Sequence, residues 1–159
     1  MNSFESSDIR KDNWISSKLY QNKRYYYPFK YKSRDFVGNE RYTMFRLAEQ
    51  YLIRSEARAN SSKIEESVED INTIRGRVNL PLINSDISMD SCLSLILKER
   101  RLELFAETSH RWFDLKRLGY VSEVVSKFKL TWQPSDILYP LPYNDVIRNP
   151  NLTQNPGYE

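Results

Sequence analysis

Cysteine and histidine are almost missing from this 159-residue chain, which has one of each, Cys92 and His110. A single sulfur excludes an internal disulfide and a cysteine-rich metal site, and it leaves the redox compartment open. A single histidine excludes a di-iron bundle. Glu107 and His110 have the Glu-x-x-His spacing, but that architecture needs a second such pair. No metal and no cofactor are therefore expected. No apolar run approaches the length that spans a bilayer, and no signal peptide opens the chain. The opening MNSFESSDIRKDNW is polar and mid-domain in character, which points to a fragment whose natural beginning is missing. Net charge is only +3, too mild to demand an acidic partner by itself.

What is present describes a soluble globular protein, 40% hydrophobic and 28% charged, long enough for one domain with a sizeable core. Aromatics are the unusual feature. Eleven tyrosines, seven phenylalanines and three tryptophans make up 13% of the residues, many of them set among polar neighbours.

Residues 1–42 carry no clear helix signal. Within them KLYQNKRYYYPFKYKSRDF mixes basic and aromatic residues, with partial alternation that suits a short strand or hairpin around Tyr25 to Tyr31. Pro28 keeps any such strand short or at an edge. From residue 43 to 60, Met44, Leu47, Ala48, Tyr51, Leu52 and Ala59 follow the spacing of one helical face. Ser62 and Glu65 read as a capping box that starts a second helix, with the stripe Ile64, Val68, Ile71, Ile74 and Val78. Asn79 is suited to the left-handed C-terminal cap, and Pro81 stops continuation. So short a join predicts an antiparallel α-hairpin of tetratricopeptide-like size, which needs neighbours to bury both faces. A third helix is predicted from Asp90 to Glu107, apolar on two sides, and a fourth from His110 to Leu118 ending at Gly119. Beyond Tyr120 the prolines exclude long helix, which predicts an extended tail pinned to the surface.

RLAEQYLIRSEARAN, INTIRGRVNLP, ILKERRLELFAE, HRWFDLKRLG, YPLP and NPNLTQNPGY occur in this order. Together they resemble the C-terminal half of the SusD/RagB family of outer-membrane nutrient-binding lipoproteins of Bacteroidetes, over about residues 35–159. DIRKDNW and YPFKYK extend the resemblance to residue 8. It implies a mainly α fold of tetratricopeptide-like α-hairpins, with an irregular Pro/Asn-rich C-terminal segment packed on the helices. The chain then reads as one domain, 1–159: an irregular aromatic and basic region at 1–42, a helical body at 43–119 and an extended tail at 120–159. The resemblance also implies non-catalytic binding of glycans or other nutrients at the cell surface. The partner it implies is a SusC-like, TonB-dependent transporter, and the membrane is reached only through a lipid anchor on the missing N-terminal part. Two motifs depart from the family pattern. Its Glu-Gly-His/Gln-Arg is here Glu107-Thr108-Ser109-His110-Arg111, one residue longer and without glycine, and its Arg-Ala-Gly-Leu is Arg77-Val78-Asn79-Leu80.

Two constellations carry the functional reading. Glu99, Glu103 and Glu107 lie four apart and are interleaved with Arg100, Arg101, Arg111 and Arg117, with Asp114 placed to accept from Arg111 or Arg117. Arginine pairing lowers a carboxylate's pKa and spoils it as a proton donor, so these residues read as a structural ion-pair network and not as a glycosidase's acid and base. Trp14, Tyr20, Arg24, Tyr25, Tyr26 and Tyr27 combine rings that stack on the C–H face of a sugar with donors for its hydroxyls, and Trp132 is a further candidate platform. The structural alternative is that these aromatics pack against the missing half, and that Trp132 plugs a core under the tail. Single-stranded nucleic acid is disfavoured by the modest charge and the lack of an RNA-binding signature. The alternative function is a tetratricopeptide-like protein-interaction module without sugar binding.

Overall fold

The computed structural model describes residues 3–33, 40–41 and 43–158. The chain divides into two compact units, Met1–His110 and Arg111–Glu159, and so breaks before residue 119.

The first unit does not begin irregularly. Asp8 accepts from the backbone N–H of Arg10 and caps a short helix α1, Ile9–Trp14. α1 runs directly into an antiparallel hairpin, β1 Ile15–Tyr20 and β2 Lys23–Pro28. The hairpin sits earlier than the sequence pattern suggests. Its two-residue turn is Gln21-Asn22, both left-handed at φ +46° and +58°, the geometry whose twist matches the flanking strands. Pro28 closes β2 opposite Ile15, where a missing N–H does least harm. The end of the aromatic stretch, from Arg34 on, falls outside the described residues.

Helices α2, Leu47–Asn60, and α3, Ile64–Arg77, form the predicted antiparallel hairpin. α2 starts four residues later than expected, because Arg46 has an extended backbone and Met44 is exposed. At their crossing, Ser55 and Ser67 are fully buried. Each hydroxyl donates to the other residue's carbonyl, at 2.9 and 2.8 Å, so two small side chains let the backbones approach. The capping box does not form. Ser62 has φ +61° and caps the end of α2, with Ser62 N–H on the Ala59 carbonyl and Lys63 N–H on the Arg58 carbonyl. That is a Schellman ending, with serine where glycine is usual. Asn79 (φ +60°) ends α3 in the same way, and Gly119 (φ +76°) ends the later helix α5, His110–Arg117.

Helix α4, Met89–Glu103, is capped by the Ser88 side chain and lies against α2 and α3. Cys92 and Ile96 join Ala59, Val68 and Ile71 in the apolar core. The same stripe then continues into Glu99 and Glu103, both 0% exposed. α4 stops at Glu103 and not at Glu107, and Ala106, Thr108 and Ser109 follow with positive φ. This longer, glycine-free join therefore holds three ordinary residues in a region that favours glycine. Ala106→Gly is expected to raise stability by up to about 1 kcal/mol, read as an upward shift of the thermal midpoint. No gain would mean that Ala106 is unstrained.

In the second unit Leu115 is buried, Trp112 half-buried and Leu118 exposed. The tail is not simply extended. It contains α6, Val121–Val125, a 3-10 turn Pro134–Ile137, and α7, Tyr143–Arg148, each too short to conflict with the prolines. Its last residues are stitched to 138–141 by side chains. The Gln154 amide accepts from Leu141 N–H at 2.7 Å and donates to Leu141 C=O at 3.0 Å, standing in for a strand neighbour where Pro140 and Pro142 cannot donate. Asn155 donates to the Tyr139 carbonyl and Tyr158 to the Leu138 carbonyl, at 2.7 and 2.9 Å. Gly157 has φ +87°, and a Cβ there would lie 2.6 Å from Ser135 Oγ. Gly157→Ala should cost about 1–3 kcal/mol and release this stitch. The check is near-ultraviolet dichroism of the second unit's tryptophans; an unchanged spectrum and melting point would contradict it.

Candidate functional site

Two assemblies of chemistry-bearing residues stand out in the first unit: a buried charge network and the exposed face of the β1–β2 hairpin.

The network is built on α4, but its cations come from elsewhere in the sequence. Arg10, 1% exposed, donates to Asp8 at 2.7 Å and to Glu99 and Glu103 at 3.1 Å each. The other Glu99 oxygen accepts from Arg75 at 2.8 Å, and the other Glu103 oxygen from Arg46 and Arg77, both at 2.6 Å. Glu107 takes Lys30 on one oxygen, at 2.9 Å, and Arg46 on the other, at 3.1 Å. Lys30 and Arg46 also donate to the Glu103 carbonyl, which satisfies the end of α4. Glu5 ties in through Arg75 and Lys98.

Glu5, Glu103 and Lys30 of the cluster are shifted by these surroundings. Hydrogen bonds from Arg75, then Lys98, bring Glu5 down to about 2. For Glu103 burial pushes upward, but the bond from Arg46 and the field of Arg77 outweigh it and hold the carboxyl below its ordinary value. Burial also lowers Lys30, and Glu107 offsets this only in part. Every carboxylate oxygen of Glu99, Glu103 and Glu107 faces a cation, so none of the three is placed to donate a proton to a substrate. Glu107 and His110 take different partners: the imidazole Nδ1 lies 3.6 Å from Glu49.

The sequence pointed to Arg100, Arg101, Arg111 and Arg117 as partners. Arg100 is buried, whereas Arg101 is exposed and forms no ion pair with a described residue, so its place in the network is corrected. Arg111, Asp114 and Arg117 belong to the second unit, where Asp114 accepts from Arg117 at 3.0 Å. Arg10, Arg75, Arg46, Arg77 and Lys30 were missed. Their one sequence-level signal was a set of basic residues inside or beside apolar stripes.

The hairpin register sorts the aromatic candidates. Tyr20 opposes Lys23, Lys18 opposes Tyr25 and Ser16 opposes Tyr27, so Tyr20, Tyr25 and Tyr27 share one face with Lys18 and Lys23. Tyr20 and Tyr25 are 59% and 48% exposed, with ring centroids 6.5 Å apart and planes tilted by 60°. Lys23 Nζ lies 5.5 Å from the Tyr25 ring, and Tyr27 meets Phe29 edge-on at 6.2 Å. Tyr26 and Arg24 lie on the opposite face, where Arg24 donates to Ser17 at 3.0 Å. Trp14 is not part of the tyrosine platform. It is half-buried with Lys30 Nζ 4.0 Å above its ring, a cation–π contact at the margin of the charge network.

Trp132 is half-buried in the second unit. It packs edge-on to Trp112 at 6.5 Å and donates from its indole N–H to Ser122 at 3.3 Å. Trp112 also meets Tyr139, which is 70% exposed, at 6.2 Å. Among the described residues no His/Cys/Asp/Glu group could hold a metal ion, and no helix is long and apolar enough to cross a membrane.

Comparison with known proteins gives this geometry its context. The model of the SusD family matches residues 2–158. A SusD-like protein P38 of Formosa agariphila is 37% identical over 123 residues, 72% of this chain and 24% of that protein. The starch-binding protein SusD of Bacteroides thetaiotaomicron is 29% identical over 126 residues, 73% of this chain and 21% of that one. The matched stretch is thus about a quarter of the length of these relatives. The crystal structure of a SusD superfamily protein from Parabacteroides distasonis superposes with a TM-score of 0.74 at 22% identity, covering 99% of this chain and 40% of that one, and it shows the same fold.

Proposed function

The chain belongs to the SusD family, and from that premise we propose that it contributes to non-catalytic capture of glycan at the bacterial outer-membrane surface. The observation that carries this reading is the hairpin face where Tyr20 and Tyr25 are exposed and Tyr27 is half-buried, with its adjoining lysines, on a body braced by buried ion pairs. Tyrosine faces stack on the apolar side of a sugar ring, and lysine and serine bond the hydroxyls. Binding is reversible, followed by hand-over to a SusC-like transporter. A lipid anchor on the whole protein would hold it at the membrane. The starch-binding relative supports a sugar as the ligand class.

Calorimetric titration with an oligosaccharide panel tests the reading. Saturable binding is expected, and Tyr25→Ala should weaken it by about 1–2 kcal/mol, roughly tenfold, without changing the thermal midpoint. Binding that survives Tyr25→Ala and Tyr20→Ala together would remove the hairpin from the site. Release of reducing sugar at a useful rate would refute the non-catalytic part.

A second reading, a protein-interaction module, is favoured by the exposed Met44, Phe45 and Leu47 just before and at the start of α2. It predicts concentration-dependent association that Phe45→Ser abolishes while sugar binding is unaffected.

A further inference from the structure

We propose that the hairpin takes an anionic glycan, one carrying carboxylate or sulfate groups, in preference to a neutral one. The inference rests on the reading that the hairpin binds sugar, and it concerns the class of sugar.

The first observation is charge without compensation. From Asn13 to Ser33 the chain has five basic residues and no acidic one. Lys30 is consumed by Glu107, and Lys32 Nζ sits 5.9 Å from the Phe29 ring. Lys18, Lys23 and Arg24 are exposed on the two strands and form no ion pair with a described residue. The contrast lies a few residues away, where Arg10, Arg46, Arg75 and Arg77 all meet carboxylates. An uncompensated cationic patch attracts anions and raises their local concentration.

The second observation is the hydrogen-bonding character of the face. Its six residues are Ser16, Lys18, Tyr20, Lys23, Tyr25 and Tyr27. An ammonium only donates, the serine and tyrosine hydroxyls donate or accept, and none of the six carries a carboxylate or side-chain amide. A neutral sugar hydroxyl is both donor and acceptor and is best met by groups such as aspartate or asparagine. A carboxylate or sulfate only accepts, so it complements donors. Lys18 is the cross-strand partner of Tyr25 and Lys23 that of Tyr20, and Lys23 Nζ lies 5.5 Å from the Tyr25 ring. A sugar stacked on either tyrosine would therefore place an acidic substituent within reach of a lysine.

The test is titration of this chain with three oligosaccharides of equal length: a neutral gluco-oligosaccharide, an oligogalacturonate and a sulfated galactan fragment. At least one anionic probe should bind about tenfold or more tightly than the neutral one. That preference should shrink as ionic strength rises, and Lys18→Gln/Lys23→Gln should cost about tenfold in affinity for it. The uronate and sulfate arms show which group is recognised. Equal affinity for the neutral probe, or indifference to the lysine substitutions, overturns the preference for anions while leaving sugar binding intact. Lysine dependence without any effect of Tyr25→Ala also overturns it, because plain polyelectrolyte attraction would then suffice. Failure of all three probes to bind overturns both this inference and the sugar reading on which it rests. All three side chains are exposed, so the variants should keep the parent's melting curve, which confirms that a loss of affinity is local.

Discussion

Glu103→Ala should destabilise the first unit by about 3–5 kcal/mol at neutral pH, most of what holds a domain of ordinary stability folded. Glu103 is fully buried and meets Arg10, Arg46 and Arg77. Removing its carboxylate leaves the Arg10 guanidinium, 1% exposed, short of a partner in a place water does not reach. The cost is the stranded charge more than the lost bonds, since a buried pair as a whole contributes little beyond its desolvation. The loss should also loosen residues far apart in sequence, because the same carboxylate joins α1, the segment before α2, the end of α3 and α4. Urea denaturation followed by far-ultraviolet dichroism gives the comparison, with Arg101→Ala as the control. Arg101 lies two residues away but is exposed, and its loss should stay within about 0.5 kcal/mol. Equal effects at the two positions would mean that the network carries no special weight.

Acid should unfold the first unit within a window set by the same cluster. Glu5 is held at about 2, against 4.5 for an unperturbed glutamate, and Glu103 is also held below its ordinary value. Folded values below the unfolded ones mean that the unfolded chain binds more protons across this range. The contribution of these groups is therefore full above about pH 4.5 and is lost as pH falls toward 2. The arginines keep their charge throughout, so protonation of Glu5 and Glu103 takes one carboxylate partner from each of Arg75 and Arg10. Lys30 slopes the same way at the other end of the scale. Its folded value is depressed, so its contribution improves as pH climbs toward 10.5. Dichroism against pH at fixed ionic strength should show stability flat near neutrality and a cooperative loss below about pH 4.5. Stability that holds unchanged down to pH 2, or a loss that begins near neutrality, would contradict the assignment.

The helices of the body were legible because their apolar residues recur at helical spacing over three or more turns, as in Val68, Ile71, Ile74 and Val78. Their C-terminal ends at Asn79 and Gly119 were legible because those residue types tolerate positive φ. Ser62 misled because serine usually marks a helix start, whereas here it occupies a left-handed cap. α1 and the hairpin were too short for periodicity to resolve, and Gln21-Asn22 is a weaker turn signal than Asn-Gly. The carboxylate half of the network could be seen on one helix, but its cations could not. Arg10 lies 93 residues from Glu103, and no local pattern encodes that contact. The aromatic candidates were found as a composition and sorted only by strand register, which puts Tyr26 on the face opposite Tyr25 and leaves Trp14 under Lys30.

The most direct test of sugar capture on the hairpin is nuclear magnetic resonance of tyrosine ring protons during titration with an oligosaccharide that binds. The account predicts shifts at Tyr20, Tyr25 and Tyr27 that saturate together, with the indole signals of Trp112 and Trp132 unmoved. Shifts confined to Trp112, Trp132 or Tyr139, with the hairpin tyrosines silent, would contradict it and move the site to the second unit.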